Sequence, residues 1–83
     1  MTHDIELFTT PTCPDCLALK RWFASHGLAY RERDLRDPAV QEEARRRTGL
    51  RIAPITIVNG QAIWGIAEDQ IRKLRPLLGL EAA

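Results

Sequence analysis

Residues 8–17 read FTTPTCPDCL, and the rest of the chain is organised around this stretch. A turn follows Phe8, and the chain's two cysteines, Cys13 and Cys16, stand three residues apart at the start of a predicted helix. A thiol at a helix N-terminus faces unpaired N–H groups and the positive end of the helix dipole, which favour the thiolate. A second cysteine one turn later can attack a mixed disulfide formed by the first. The stretch therefore predicts a reversible thiol–disulfide switch.

The flanking segments predict a strand that leads into this turn and a helix that leaves it. Residues 5–8 read IELF, which is typical of a short buried strand. Pro14 just inside the start and Gly27 just past the end predict a helix of about three turns. Apolar residues recur at helical spacing along one predicted face, at Cys16, Leu19, Trp22 and Phe23, with His26 as a further candidate.

A second strand and a second helix follow. Residues 28–35 read LAYRERDL and alternate in polarity, which indicates a strand with one wetter face or an edge position. Asp37 is a predicted N-cap, Pro38 the first helical residue and Gly49 the end of that helix. Val40 and Ala44 give this helix only a thin apolar stripe, so we expect it to lie lightly on the sheet.

The last third of the chain predicts a hairpin and a third helix. Residues 52–58 read IAPITIV, a strand pattern, and Asn59-Gly60 favours a two-residue turn into a partner strand at 61–64. We expect Trp64 to lie in the core, as large aromatic residues usually do. A third helix is predicted from Glu68 to about Arg75, where Pro76 should end or kink it. The residues from 77 to 83 have no predicted structure.

This order, β-α-β-α-β-β-α, predicts an α/β fold. A helix joining the first two strands implies a right-handed parallel crossover, and the hairpin makes the last pair antiparallel. The result is a four-stranded mixed sheet flanked by three helices, expected to form a single domain over residues 1–83.

Composition narrows the class of protein. The 83 residues carry a net charge of +1, and acidic residues interleave with the arginines, so we expect solvated faces and no nucleic-acid partner. No apolar run approaches the roughly 18–20 residues that span a bilayer, and no signal peptide is visible. A cytoplasmic location is therefore expected, with no membrane partner. Thiols stay reduced there, so a close cysteine pair is expected to be catalytic or metal-binding.

Cys13-Pro14-Asp15-Cys16 after the first strand, with Ala53-Pro54 before a hydrophobic strand and a later Gly65-x-x-x-Asp69, resembles the glutaredoxin family of the thioredoxin superfamily. The resemblance runs from about Ile5 to Leu78. It implies a thioredoxin-like fold and a thiol–disulfide oxidoreductase with Cys13 as nucleophile and Cys16 as resolving thiol. It also implies a cis bond before Pro54, which packs against the cysteine pair and leaves the backbone of Ala53 free to pair with a substrate chain; Pro14 is expected to contact substrate as well. Alternatively, Pro54 is a trans proline on an edge strand.

Other positions bear on the electron donor. The resemblance implies that Gly65, Ile66 and Asp69 contact the ligand or partner. Ile66 stands where the family's glutathione site has a second glycine, and Thr10 lies where a lysine is common. Residues 64–69, WGIAED, are similar to NrdH-type redoxins, which take electrons from thioredoxin reductase and reduce ribonucleotide reductase. The start of the first helix also looks like that of mycoredoxins, which use another small thiol. The donor therefore stays open: NADPH through thioredoxin reductase, or glutathione or a similar thiol.

Asp15 and the alternatives to a redox site complete the prediction. The Asp15 carboxylate suits the helix dipole but repels a neighbouring thiolate, so we expect the pKa of Cys13 to lie only modestly below the free value of about 8.5. Lys20 and Arg21 would partly offset that repulsion; alternatively, Asp15 is only an exposed first-turn acid. A zinc site would need His3 and His26, and inert core thiols are a further alternative. The competing class is a redox-inactive metal- or cluster-binding module. A monomer with no permanently bound cofactor is expected.

Overall fold

A computed structural model of the chain describes residues 3–80. The elements are β1 (Ile5–Thr9), α1 (Pro14–Ser25), β2 (Arg31–Asp34), α2 (Pro38–Thr48), β3 (Ile55–Val58), β4 (Gln61–Trp64) and α3 (Ala67–Leu77). The sheet order is β2-β1-β3-β4, with β1 parallel to β2 and antiparallel to β3, and β4 antiparallel to β3. This confirms the predicted element order and the mixed four-stranded sheet. Residues 81–83 of the unassigned tail lie outside the described residues.

The sheet separates two apolar clusters. On one face, Ile5 and Leu7 of β1 pack with α1 and α3; on the other, Phe8 packs with Ala44 of α2. Every residue of β1 and of β3 is buried, because these are the two central strands and are covered on both faces.

The apolar stripe of α1 holds the cysteine end of the helix against this core. Cys16, Leu19, Trp22 and Phe23 are its buried residues, as predicted. Burial of Leu19 or Phe23, both fully inaccessible, contributes roughly 1.5–3 kcal/mol. His26 is not part of the stripe: it follows the helix, and its exposed ring lies 4.7 Å from that of Trp22.

The predicted edge strand and second helix are also confirmed. β2 lies at the edge of the sheet but is shorter than predicted, four residues from Arg31 to Asp34. The Asp37 carboxylate accepts from the backbone N–H of Ala39 at 2.9 Å and so caps α2. Gly49 ends this helix with φ +75°, a conformation that favours glycine.

An ion cluster under α2 corrects the expectation that the charged faces are simply solvated. Glu6 of β1 is only 3% exposed, and its carboxylate accepts from Arg33 at 2.8 Å and from Arg47 at 2.7 Å. Arg47 also donates to Glu43 at 2.8 Å. The bond from Arg47, followed by that from Arg33, lowers the pKa of Glu6. Arg33 and Arg47 lower the pKa of Glu43 to about 2. We call Glu6, Arg33, Glu43 and Arg47 the Glu6 cluster.

Two sequence predictions about the hairpin are wrong. The third strand begins at Ile55, three residues later than predicted, and Ile52 is 61% exposed in the bend that precedes it. Trp64 is 50% exposed, because β4 is an edge strand on which Ile63 points inward instead. α3 runs from Ala67 to Leu77 and so ends one residue after Pro76, close to its predicted end.

Candidate functional site

The N-terminus of α1 presents Cys13. Cys13 is the N-cap residue, with extended backbone, and Pro14 occupies the first helical position, where a missing N–H costs little. The backbone N–H of Cys16 donates to Cys13 Sγ at 3.0 Å. The sulfur therefore takes the place that a Ser or Asp oxygen takes in an ordinary N-cap, and it lies at the positive end of the helix dipole.

The two cysteines differ in burial. A disulfide joins Cys13 to Cys16, whose Cα atoms are 5.2 Å apart. Cys13 is partly exposed, whereas Cys16 is 1% exposed and belongs to the buried stripe of α1. An external disulfide can therefore approach Cys13, while Cys16 is within bonding reach of Cys13 from the protein side. This is the arrangement that a two-electron dithiol–disulfide exchange requires.

A cavity of about 320 Å³ opens beside Cys13. Its lining comprises Thr10, Pro11, Thr12, Cys13, Pro14, Cys16, Leu17 and Lys20. The Lys20 ammonium lies 2.7 Å from Glu32 Oε2, and the Thr9 hydroxyl donates to the same oxygen at 2.8 Å. The bond from Lys20, then that from Thr9, lowers the pKa of Glu32. Lys20 of α1 therefore places a positive charge at the cavity, although its ammonium is paired with Glu32. Thr10, which stands where the family commonly has a lysine, lines the same cavity.

Asp15 has a structural role that the sequence did not reveal. Its Oδ1 accepts from the backbone N–H of Ala67 at 3.0 Å, and Ala67 is the first residue of α3. α3 has no side-chain cap from its own N-cap residue, Ile66, so Asp15 supplies one from the neighbouring helix. Lys20 pairs with Glu32, whereas Asp15 accepts from a backbone N–H. That Lys20 and Arg21 partly offset the charge of Asp15 at Cys13 stays a prediction.

The residues predicted to shape the substrate groove lie before β3. The Ala53–Pro54 peptide bond is cis, as the family resemblance implies. Pro54 is buried and Ala53 half-buried. The Pro54 carbonyl accepts from the Gln70 amide of α3 at 2.9 Å.

The residues predicted to contact a ligand or partner lie between β4 and the first turn of α3. Gly65 has φ +111°, which favours glycine, and its carbonyl accepts from Gln70 at 2.9 Å. Ile66 is 53% exposed. The Asp69 carboxylate is half-exposed and accepts from Arg72 at 3.2 Å.

These contacts join the separate parts of the site. The Asp15–Ala67 bond attaches the cysteine helix to α3, and Gln70 attaches α3 to both Pro54 and Gly65. Sequence reasoning missed Gln70. The available signal was its spacing from Ala67 and Leu74, which places a polar residue on the inward face of α3.

The predicted alternative of a metal site needs ligands in addition to the two cysteines. Within residues 3–80, no group of three or more His, Cys, Asp or Glu side chains is arranged to hold one. His3 Nδ1 lies 3.2 Å from the Asn59 amide, and His26 Nδ1 lies 3.0 Å from the Trp22 carbonyl oxygen. None of the helices in this part of the chain is long and apolar enough to cross a membrane.

The fold and the site together define a class. A four-stranded mixed sheet with three helices, a cysteine pair at the start of α1 and a cis proline before β3 is the thioredoxin-like fold of a thiol–disulfide protein. The sequence pattern of the glutaredoxin family matches residues 5–63, and the chain belongs to that family. Glutaredoxins are in general thiol–disulfide oxidoreductases that use glutathione or thioredoxin-type reducing systems.

Solved structures agree with this assignment. The thioredoxin-like protein BC3987 is 29% identical, with a TM-score of 0.80 over 89% of this chain and 99% of that one. A glutaredoxin from wheat is 26% identical, with a TM-score of 0.73 over 92% of this chain and 76% of that one. A buckwheat glutaredoxin crystallised with glutathione is 24% identical (TM-score 0.73, 94% and 76% covered) and supports the fold alone. Among curated proteins, none matches the chain.

Proposed function

We propose that this protein reduces protein disulfides or mixed disulfides of small thiols through Cys13 and Cys16. One observation carries the proposal: a partly exposed sulfur at a helix N-terminus is paired with a buried sulfur behind it. In this assignment Cys13 is the nucleophile, because a substrate can reach it. Cys16 is the resolving thiol, because only Cys13 lies within its reach.

The exchange proceeds from the reduced protein in two steps. The Cys13 thiolate attacks one sulfur of the substrate disulfide, that S–S bond breaks, and the leaving thiolate takes a proton from water. Cys16 then loses its proton and attacks the Cys13 sulfur of the mixed disulfide, which releases the second substrate thiol. The substrate gains two electrons and two protons, and the protein ends as the Cys13–Cys16 disulfide.

Several residues are assigned to substrate binding. Pro14 borders Cys13 in the cavity, and Ala53 with Pro54 offers backbone for an extended substrate segment. Gly65, Ile66 and Asp69 contact the partner from the start of α3.

Two exposed apolar side chains connected to the cysteine motif support a protein substrate. Leu17 lines the cavity and is 47% exposed. Ile66 is 53% exposed and precedes Ala67, which is bonded to Asp15 of the cysteine motif.

The disulfide is returned to the dithiol by NADPH through thioredoxin reductase, or by glutathione or a similar small thiol. Ile66 and Thr10 depart from the glutathione-binding pattern and so support the first donor; ribonucleotide reductase is then a candidate acceptor. The protein acts as a cytoplasmic monomer in a single domain, without a permanently bound cofactor or metal.

A paired turnover assay tests the function and the donor together. Reduction of a protein disulfide is followed by NADPH consumption, either with thioredoxin reductase or with glutathione and its reductase. Turnover in at least one arm is expected, and Cys13→Ser is the matched control that should remove it. Failure of both arms while Cys13 is reduced and accessible would reject the function. Metal content and absorbance of the purified protein test the competing metal- or cluster-binding role.

A further inference from the structure

Gln70 is a buried polar residue that attaches α3 to Pro54 and Gly65 but has no role in the proposed chemistry. It is the fourth residue of α3 and is fully inaccessible to solvent. A buried amide is costly unless its donors and acceptor are bonded, so its partners explain why the position tolerates it.

The Gln70 amide makes three hydrogen bonds to two segments, the start of β3 and the residue that follows β4. Its Nε2 donates to the carbonyl oxygens of Pro54 and Gly65, each at 2.9 Å. Its Oε1 accepts from the Thr56 hydroxyl at 2.6 Å. Both N–H donors and the carbonyl are thereby used. The two backbone carbonyls can only accept, which fixes the orientation of the amide.

Pro54 and Gly65 lie at the open end of one hairpin, away from the Asn59-Gly60 turn. Pro54 immediately precedes β3, Gly65 immediately follows β4, and the first residue of β3 pairs with the last of β4. One side chain of α3 therefore bonds to both strands of the hairpin at its open end. Pro54 and Gly65, with their neighbours Ala53 and Ile66, are among the residues assigned to substrate binding.

We propose that Gln70 is a positioning residue that sets the backbone at Ala53–Pro54 and Gly65–Ile66 for an extended polypeptide segment carrying the substrate disulfide. The inference rests on the proposed function and adds a substrate class to it. Small non-peptide disulfides have no backbone to pair there, so their reduction does not depend on Gln70.

The amide cannot be replaced by a residue of similar shape. Methionine matches the length but offers no donor, which leaves the Pro54 and Gly65 carbonyls unbonded. A glutamate carboxylate also lacks a donor and would face both carbonyls with negative charge. Loss of such a buried bond changes binding by a factor of roughly 3–10.

The test compares two disulfides in steady-state turnover, with whichever reducing system supports the wild-type protein in the paired assay above. One substrate is a fluorogenic peptide disulfide and the other is hydroxyethyl disulfide. Gln70→Met should raise KM for the peptide roughly 3- to 10-fold with kcat within about twofold. Rates with hydroxyethyl disulfide should stay within about twofold. Equal losses on both substrates would overturn the proposal.

Thr56→Val is the matched control. It removes the hydroxyl that bonds Gln70 Oε1 from an equally buried site but leaves both Nε2 bonds in place. Its Tm should fall while KM for the peptide stays within about twofold of wild type. A KM increase equal to that of Gln70→Met would show that lost stability is sufficient and would overturn the positioning role.

A second variant covers the case in which Gln70→Met does not fold. Burial raises the pKa of a carboxyl, so Gln70→Glu is protonated at lower pH and then retains one donor. The ratio of its peptide KM to that of wild type should fall at least about threefold from pH 8 to pH 6. A pH-independent ratio would overturn the inference. Lack of wild-type turnover on either disulfide would overturn the proposed function and this inference together, whereas normal wild-type turnover isolates the role of Gln70.

Discussion

The cysteine end of α1 and the Glu6 cluster lie on opposite faces of the sheet and manage charge in opposite ways. At the cysteine end, backbone N–H groups and a helix dipole face a partly exposed sulfur, so an anion can form there and react. Under α2, guanidinium groups enclose a buried carboxylate that cannot leave its partners. The difference indicates that reactivity and stability are assigned to separate regions, so each can be altered without the other.

The largest effect is expected at the nucleophile. Cys13→Ser should lower the rate of disulfide reduction at least roughly 1000-fold, because an alcohol at this position does not ionise near neutral pH. Its thermal unfolding should stay close to that of the reduced wild type. Cys16→Ser should instead accumulate a mixed disulfide on Cys13, detectable by mass. A Cys13→Ser protein that still reduces disulfides would show that the cysteine end of α1 is not the reactive region.

At the Glu6 cluster the opposite result is expected, a loss of stability without a loss of thiol reactivity. Glu6→Gln removes the buried counter-ion of Arg33 and Arg47, which are partly exposed and keep Glu43, and should lower the free energy of unfolding by about 1.5–3 kcal/mol. Denaturant titration of the reduced protein measures this loss. The alkylation rate of Cys13 should be unchanged, and a parallel loss of thiol reactivity would mean that the two faces are coupled.

Acidification should weaken the Glu6 cluster. The pKa of Glu43 is lowered to about 2 from an ordinary value of 4.5, and that of Glu6 is lowered as well. Below about pH 4.5 these two carboxylates therefore bind more protons in the unfolded chain than in the folded one. The stability that the two carboxylates contribute is complete above that pH and is lost as the pH falls towards 2. The midpoint of urea unfolding should be similar at pH 7 and pH 5 and lower at pH 3. Glu43→Gln should flatten this decline; an unchanged decline would assign it to other groups.

The smallest effect is expected where the cysteine helix meets α3. Asp15→Ala removes the cap on Ala67 and should cost about 1 kcal/mol, whereas Asp15→Asn keeps an acceptor and should cost a few tenths. Both remove a charge near Cys13 and should lower its thiol pKa, measured by thiolate absorbance. An Asn variant as unstable as Ala would show that charge, not the bond, holds the helices together.

The sequence predicted the parts of the fold that depend on local patterns. Helical spacing located the stripe of α1, Asp37 and Gly49 marked the ends of α2, and Asn59-Gly60 located the hairpin. It failed where the sheet edge decides the outcome. Trp64 is large and apolar but lies on an edge strand, where burial depends on neighbours that no local pattern reveals.

The candidate site was predictable in its cysteines but not in its connections. Cys13, Cys16 and Pro54 are recognisable from motif and spacing. Asp15 reaches Ala67, 52 residues away in sequence, and Gln70 bonds segments that only the folded sheet brings together. Such contacts depend on how α3 packs against the sheet and α1, which periodicity does not specify.

The most direct measurement is selective alkylation of the fully reduced protein. Limiting iodoacetamide near pH 7, followed by peptide mapping, should modify Cys13 and leave Cys16 free until the protein is unfolded, because only Cys13 is accessible at the helix N-terminus. Modification of both thiols at similar rates, or of Cys16 first, would contradict the assignment of an exposed nucleophile with a buried partner.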